Sequence, residues 1–235
     1  MNNKITINPK NLFSAEILNY QVDTVKYGKT NYVNLDNAAT TPPLEAVEKG
    51  VKNYLISYGS VHRGAGSKSK ISTDVYEESR EVIKDFVNAP KDSYVLLTKN
   101  TTEAMNVASY FFSFLKGKVA VSAIEHSSSW LPWIKAEGIK SLGERQFDEN
   151  EMDSINDMIQ RLGREKILQY DVNDKFEFNL DSIEKLLQNN QIKVVVLTAS
   201  SNINGYCPDI KKVGELVHKY GAYFLVDAFQ FMQHH

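Results

Sequence analysis

The stretch Ala222–Gln230, AYFLVDAFQ, decides how this chain is read. Ala222 to Val226 is apolar and uncharged, Asp227 ends the run, and Gln230 follows shortly after. A short apolar run bounded by turn and helix signals predicts a buried strand of a parallel sheet. An acid at the carboxyl end of such a strand stands where open α/β sheets bind ligands. Burying a carboxylate without a partner is costly, so Asp227 should face a cation or a hydrogen-bond donor. An Asp that caps the next helix or closes a turn would leave the same trace.

Upstream, the same signature repeats. Strands are predicted at Tyr94–Thr98, Lys118–Ile124, Ile167–Val172 and Lys193–Thr198, the last carrying three β-branched valines. Helices are predicted at Met105–Leu115, from Ser127 onward, at Leu180–Asn189 and at Asp209–Tyr220. Strands alternating with helices argue for a mainly parallel sheet with helices on its faces. Polar clusters follow successive strands: Thr101 and Thr102, His126, Ser201 and Asn202, Asp227 and Gln230. In a parallel sheet all carboxyl ends lie along one edge, so these separate segments should converge on one site. The turn before Met105 presents free N–H groups and a positive dipole end to a phosphate, or holds an ordinary threonine cap. His126 could stack on a planar ring, act as a base or serve as a hydrogen-bonded structural residue. A metal is disfavoured, because no spaced His or Cys partners accompany it. For Asp227, one fitting cation is the protonated ring nitrogen of pyridoxal phosphate (PLP).

The first third is of a different kind. Residues 1–30 are predicted to form an N-terminal arm, with turns at Asn8-Pro9 and Tyr27-Gly28 and a short helix near Ser14–Tyr20. Asp36–Pro43, DNAATTPP, predicts a tight, backbone-rich turn that main chain could use to approach a ligand, or a plain helix entry. A helix over Glu45–Ser57 leads to the glycine-rich loop Tyr58–Gly66, which carries His62 and Arg63. Such a loop can bind anions or carboxylates, or be a solvated turn. A long amphipathic helix follows over Ser67–Val87. Residues 139–165 are charged and hard to place, with a surface helix predicted over Asp148–Leu162.

Composition narrows the class. With 235 residues, 42% of them hydrophobic, the chain can build one sizeable core. Twenty-seven basic residues balance 29 acidic ones and no basic patch stands out, which disfavours nucleic acid as a partner. The single cysteine, Cys207, excludes an internal disulfide, suits a reducing compartment and reads as a small buried filler. The opening MNNKITINPKN lacks a signal-peptide core and no apolar run is long enough to span a membrane, so a soluble cytoplasmic protein is expected. No Gly-x-Gly-x-x-Gly or P-loop pattern follows a strand, which weakens a nucleotide-binding reading.

Taken together, LDNAATT (35–41), SVHRG (60–64), NTTEA (100–104), Glu125-His126, Ser201-Asn202 with Gly205, and VDAFQ (226–230) resemble, in order, the class V aminotransferase group of fold-type I PLP enzymes, cysteine desulfurases and selenocysteine lyases in particular. The resemblance implies a three-layer αβα domain with a mainly parallel sheet over residues 31–235, incomplete at its C-terminal side, and PLP as cofactor. It implies phosphate binding by Thr101 and Thr102 and ring stacking, with a catalytic part, for His126. It further implies that Asp227 pairs with the ring nitrogen, Gln230 with the phenolic oxygen, and Asn202 with that oxygen and the substrate carboxylate. Ala38, His62 and Arg63 resemble the substrate-facing wall. The family's Schiff-base lysine lies in a Ser-x-His-Lys turn further along than Gln233-His234-His235, as do its small domain and sulfur-accepting cysteine. The expectation is therefore the N-terminal part of an enzyme that converts L-cysteine to alanine and a persulfide, acting as a homodimer with a sulfur-acceptor protein, this portion alone being inactive. A selenocysteine lyase, aminotransferase or epimerase is the alternative within the family. A catalytically inactive PLP-fold binding protein is the alternative outside it.

Overall fold

The computed structural model describes residues 12–144, 155–175 and 177–232, and the chain divides into two compact units, Met1–Leu96 and Leu97–His235.

In the first unit, Ser14 caps the short helix α1 (Ala15–Leu18) by accepting from the Ile17 N–H. Strands β1 (Gln21–Thr24) and β2 (Gly28–Asn31) then pair antiparallel. Their connection is closed by Thr24 Oγ1, which accepts from the Tyr27 N–H at 3.1 Å and donates to Gly28 O at 2.9 Å. The arm expected over residues 1–30 thus contains a hairpin that its polar composition concealed. Asn34 braces the predicted tight turn, donating to Thr40 O (2.9 Å) and accepting from the Asp36 N–H (2.9 Å). Helices α2 (Glu45–Ser57) and α3 (Ser67–Phe86) form where their apolar spacing predicts. The strand expected at Tyr94–Thr98 does not form. Tyr94 is 90% exposed, and no neighbouring strand among the described residues supplies the ladder that an extended backbone requires.

The second unit is a three-layer sandwich. Its elements are α4 (Thr101–Ser113), β3 (Lys118–Ser122), α5 (Ser127–Gly143), α6 (Ile155–Arg164), β4 (Ile167–Tyr170), α7 (Leu180–Asn189), β5 (Ile192–Thr198), α8 (Ile210–Lys219) and β6 (Tyr223–Asp227). The strands run in the order β4-β3-β5-β6, each pair parallel. Alternation along β3 and β5 divides the core in two. Val119, Val121, Val194 and Val196 pack with Trp133 of α5 and Phe112 of α4 on one face. Ala120, Val195 and Leu197 pack with Ile183 and Leu187 of α7 and Val213 and Val217 of α8 on the other. All seven residues of β5 are buried, as expected of a central parallel strand.

From β3 the chain crosses to β4 on one side and then returns past β3 to β5 on the other. Such a reversal is a topological switch point, where the connections diverge and leave a crevice at the carboxyl ends. The crossover from β3 to β4 carries a helix pair in place of the single helix read from Ser127. α5 continues to Gly143, and α6 lies against it at very short range. A Cβ at Gly138 would collide with the backbone carbonyl of Ile159, and one at Gly163 with that of Ile134. Of residues 139–165, those at 139–143 close α5 and those at 155–164 form α6. The first half of the helix predicted over Asp148–Leu162 lies outside the described residues.

A buried ion pair ties the opposite edge of the sheet. Lys193, at the start of β5, reaches Glu137 of α5 at 2.5 Å and donates to Leu115 O at 3.2 Å. Burial pushes the Glu137 carboxyl up and the Lys193 ammonium down, and each partner opposes the other's shift.

Candidate functional site

β6 ends with Asp227, which is 8% exposed, at the carboxyl edge of the sheet. Both of its side-chain oxygens accept hydrogen bonds, Oδ2 from the Ser129 hydroxyl of α5 and Oδ1 from the Phe229 N–H at 3.1 Å. The carboxylate is therefore fixed in orientation as well as position. Its backbone carbonyl accepts from the Ala199 N–H at 2.8 Å, which binds the ends of β5 and β6 together.

The turn after β3 supplies a second acid. Glu125 is also 8% exposed, and its Oε1 accepts from the Ser122 hydroxyl (2.8 Å) and from the Thr198 N–H (2.7 Å) at the end of β5. It thus bridges β3 and β5 at the switch point. Glu125 Oε2 is buried and has no hydrogen-bond partner among the described residues. Burial, opposed by those two hydrogen bonds and reinforced by the charge of Asp227, raises the Glu125 pKa to about 7. Tyr170 of β4 closes the floor, donating to Val196 O at 2.6 Å, and burial holds its hydroxyl well above its ordinary range.

His126 is the N-cap of α5. Its Nδ1 lies 2.6 Å from the Ser128 hydroxyl and 3.2 Å from the Ser128 backbone nitrogen, which fixes the ring's orientation. The ring is exposed at this edge. In the turn after β5, Ser201 is buried and Asn202 is exposed. The Ser201 N–H donates to Tyr206 O at 3.0 Å, and Ser201 O accepts from the Gly205 N–H at 2.9 Å, with Gly205 at φ 73°. Gln230 is half-buried in the turn after Asp227. Cys207 is half-buried, not the buried filler expected, because its loop runs over the edge of the core rather than through it.

α4 brings its N-terminus to the same edge. Phe112, near its end, packs edge-on against Tyr223 at the start of β6, with ring centroids 5.1 Å apart. α4 therefore runs antiparallel to the strands, and its first turn lies toward their carboxyl ends. Asn100 caps it by accepting from the Glu103 N–H at 2.9 Å, and Glu103 accepts from the Lys99 N–H at 2.7 Å. Those bonds leave the N–H groups of Thr101 and Thr102 without an acceptor among the described residues, as at the anion-binding end of a helix.

The second unit thus brings Thr101, Thr102, His126, Asn202, Asp227 and Gln230 to one sheet edge. Ala38, His62 and Arg63 lie in the first unit. Ala38 is exposed in the Asn34-braced turn and Arg63 is exposed in its loop. His62, at φ 58°, pairs through Nε2 with Glu77 at 2.9 Å and packs edge-on to Tyr76. Sequence reasoning gave no role to Glu125, Ser122 or Ser129. Glu125 carried the signal that singled out Asp227, an acid closing a buried apolar strand. The serines carried none.

The family model for aminotransferase class-V matches residues 33–160 and 147–235, the two segments overlapping within the 139–165 stretch. A probable cysteine desulfurase of Pyrococcus abyssi is 31% identical over 207 residues, covering 86% of this chain and 45% of that protein. One from Methanothermobacter thermautotrophicus is 32% identical over 206 residues, covering 87% of this chain and 45% of that protein. The chain thus spans a little under half the length of the curated relatives it matches. The apo structure of a cysteine desulfurase from Thermococcus onnurineus superposes with a TM-score of 0.63 at 27% identity, over 82% of this chain and 43% of that one. The match to the family model along nearly all of residues 33–235, and the parallel αβα fold shared with its solved members, place this chain in the class V aminotransferase family.

Proposed function

We propose that this chain is the cofactor-holding part of a PLP-dependent cysteine desulfurase, which takes sulfur from L-cysteine to leave alanine and an enzyme-bound persulfide. The observation that carries this reading is Asp227, a buried carboxylate oriented by Ser129 and Phe229 at the carboxyl end of β6, one strand from the switch point. The residues fit each part of the cofactor. Asp227 would hold the proton of the ring nitrogen. The N–H groups and hydroxyls of Thr101 and Thr102, at the positive end of α4, would hold the phosphate. His126, its ring set by Ser128, would lie on the ring plane. Asn202 and Gln230 would hydrogen-bond the phenolic oxygen, and Asn202 the substrate carboxylate. Bound PLP supplies an electron sink for the amino acid, deepened when its ring nitrogen stays protonated. The substrate-facing roles of Ala38, His62 and Arg63 rest on sequence resemblance alone. Cytoplasmic location, a homodimer and a sulfur-acceptor partner belong to the same reading.

The test is to supply the whole protein with PLP and L-cysteine and to measure alanine and persulfide. Equal amounts of both are expected. Turnover of other amino acids without sulfur release from cysteine would move the reading to a selenocysteine lyase, aminotransferase or epimerase, and PLP binding without turnover to a binding protein. Asp227→Asn should weaken PLP binding roughly 10- to 100-fold, the scale of one hydrogen bond to a charged group. Unchanged affinity would remove Asp227 from the site.

A further inference from the structure

Two acids, Glu125 and Asp227, lie buried on either side of Thr198 at the end of β5, and among the described residues they differ from the third buried acid of this unit. Glu137 has Lys193 at 2.5 Å. Among the described residues neither Glu125 nor Asp227 forms an ion pair, and the charge of Asp227 acts on Glu125. The groups facing Glu125 are Ser122 of β3, the Thr198 N–H of β5, Tyr170 of β4 and Asp227 of β6, with His126 next in the chain. These give Oε1 two donors and leave Oε2 buried and bare. A pair of buried carboxylates without a cation is unfavourable when both are ionised, so one of them keeps a proton until a positive charge arrives.

We propose that Glu125 is a positioning residue that acts through Asp227: it carries a proton while the site is empty and gives it up to solvent when a cationic ring binds at Asp227, so that two carboxylates then hold one positive ring. The inference rests on the PLP reading above and deepens it, since the cation it requires is a protonated pyridine nitrogen. Burial keeps the Glu125 carboxyl titrating near neutrality, where a bound cation can shift it. The consequence is a cofactor affinity that rises with pH through the neutral range for a reason located in Glu125. Protonation of PLP itself also varies with pH, but it contributes equally to wild type and variant.

The experiment compares PLP binding by the whole protein and by its Glu125→Gln variant. Glutamine keeps an oxygen for Ser122 and Thr198 and removes the charge. The two affinities should agree at about pH 5. By about pH 8.5 wild type should bind about 10-fold more tightly, if the cation lowers the Glu125 pKa by about one unit. A second measurement needs no variant: the infrared band of a protonated carboxyl group should be present in the PLP-free protein at neutral pH and disappear when PLP is added. Parallel pH profiles, or a carboxyl band that PLP leaves unchanged, would overturn the proposal while the PLP reading stood. Absence of PLP binding at every pH would overturn both.

Discussion

Asp227 and Glu125 are the same kind of residue, acids that close apolar strands, and their surroundings give them different roles. Asp227 has a donor on each oxygen, whereas Glu125 has both of its donors on one. The Glu125 pKa is raised from 4.5 to about 7, so between these values the folded state binds more protons than the unfolded state and stability falls as pH rises. Below pH 4.5 the carboxyl is protonated in both states and no cost arises; above about 7 the full cost of ionising a buried acid is present. That cost is about 3 kcal/mol. Thermal unfolding of the PLP-free protein should therefore show wild type losing stability relative to Glu125→Gln from acid to neutral pH. Two curves that stay parallel would contradict the burial of Glu125. Lys193 offers a second test at this scale. Lys193→Met strands the Glu137 carboxylate, and denaturant unfolding should show a loss of about 3–5 kcal/mol, whereas a joint replacement of Glu137 by Leu should recover much of it.

At the scale of elements, the α5–α6 pair sets the crossover from β3 to β4. The helices approach so closely that backbone carbonyls occupy the space a side chain would need at Gly138 and Gly163. No flexible group can give way there. Gly163→Ala should cost at least about 1–3 kcal/mol by overpacking, read as a lower unfolding midpoint, although alanine favours an isolated helix. A stabilised variant would show that the pair packs more loosely. At α4, Asn100→Ala removes the cap on the Glu103 N–H and should cost about 1 kcal/mol of stability. The bounds of α2 and α7 were readable because each has a clear apolar stripe and helix-terminating neighbours. The crossover was not, because two glycines that permit close packing look in sequence like breaks in a charged surface helix.

For the whole molecule, the division falls at Leu96 and Leu97, inside the stretch expected to be a strand. Tyr94 and Leu96 there are exposed and lie in irregular backbone. Brief chymotrypsin treatment of the native protein should cut at Tyr94–Leu97 before it cuts the buried strands β3 or β5, leaving a fragment that begins near residue 97. First cleavage within β3 or β5 would mean that the second unit does not hold together as described. That unit carries its own sheet, both helical layers and all of the Thr101, His126, Asn202, Asp227 and Gln230 set.

The sequence by itself determined the parallel αβα class, because uncharged runs such as Ala222–Val226 and Val194–Thr198, separated by helical stripes, can be satisfied only as buried strands with helices on both faces. It also showed that polar residues gather at the strand ends, because parallel topology sends all those ends to one edge. Tertiary structure decided the rest. An extended run becomes a strand only where another strand supplies its ladder, so Tyr94–Thr98 failed while the polar hairpin of β1 and β2 formed. It also decided which acids meet. Whether a buried carboxylate finds a lysine, as Glu137 does, or a second acid, as Glu125 does, depends on which strands become neighbours, and that is fixed by packing across the chain rather than by local sequence.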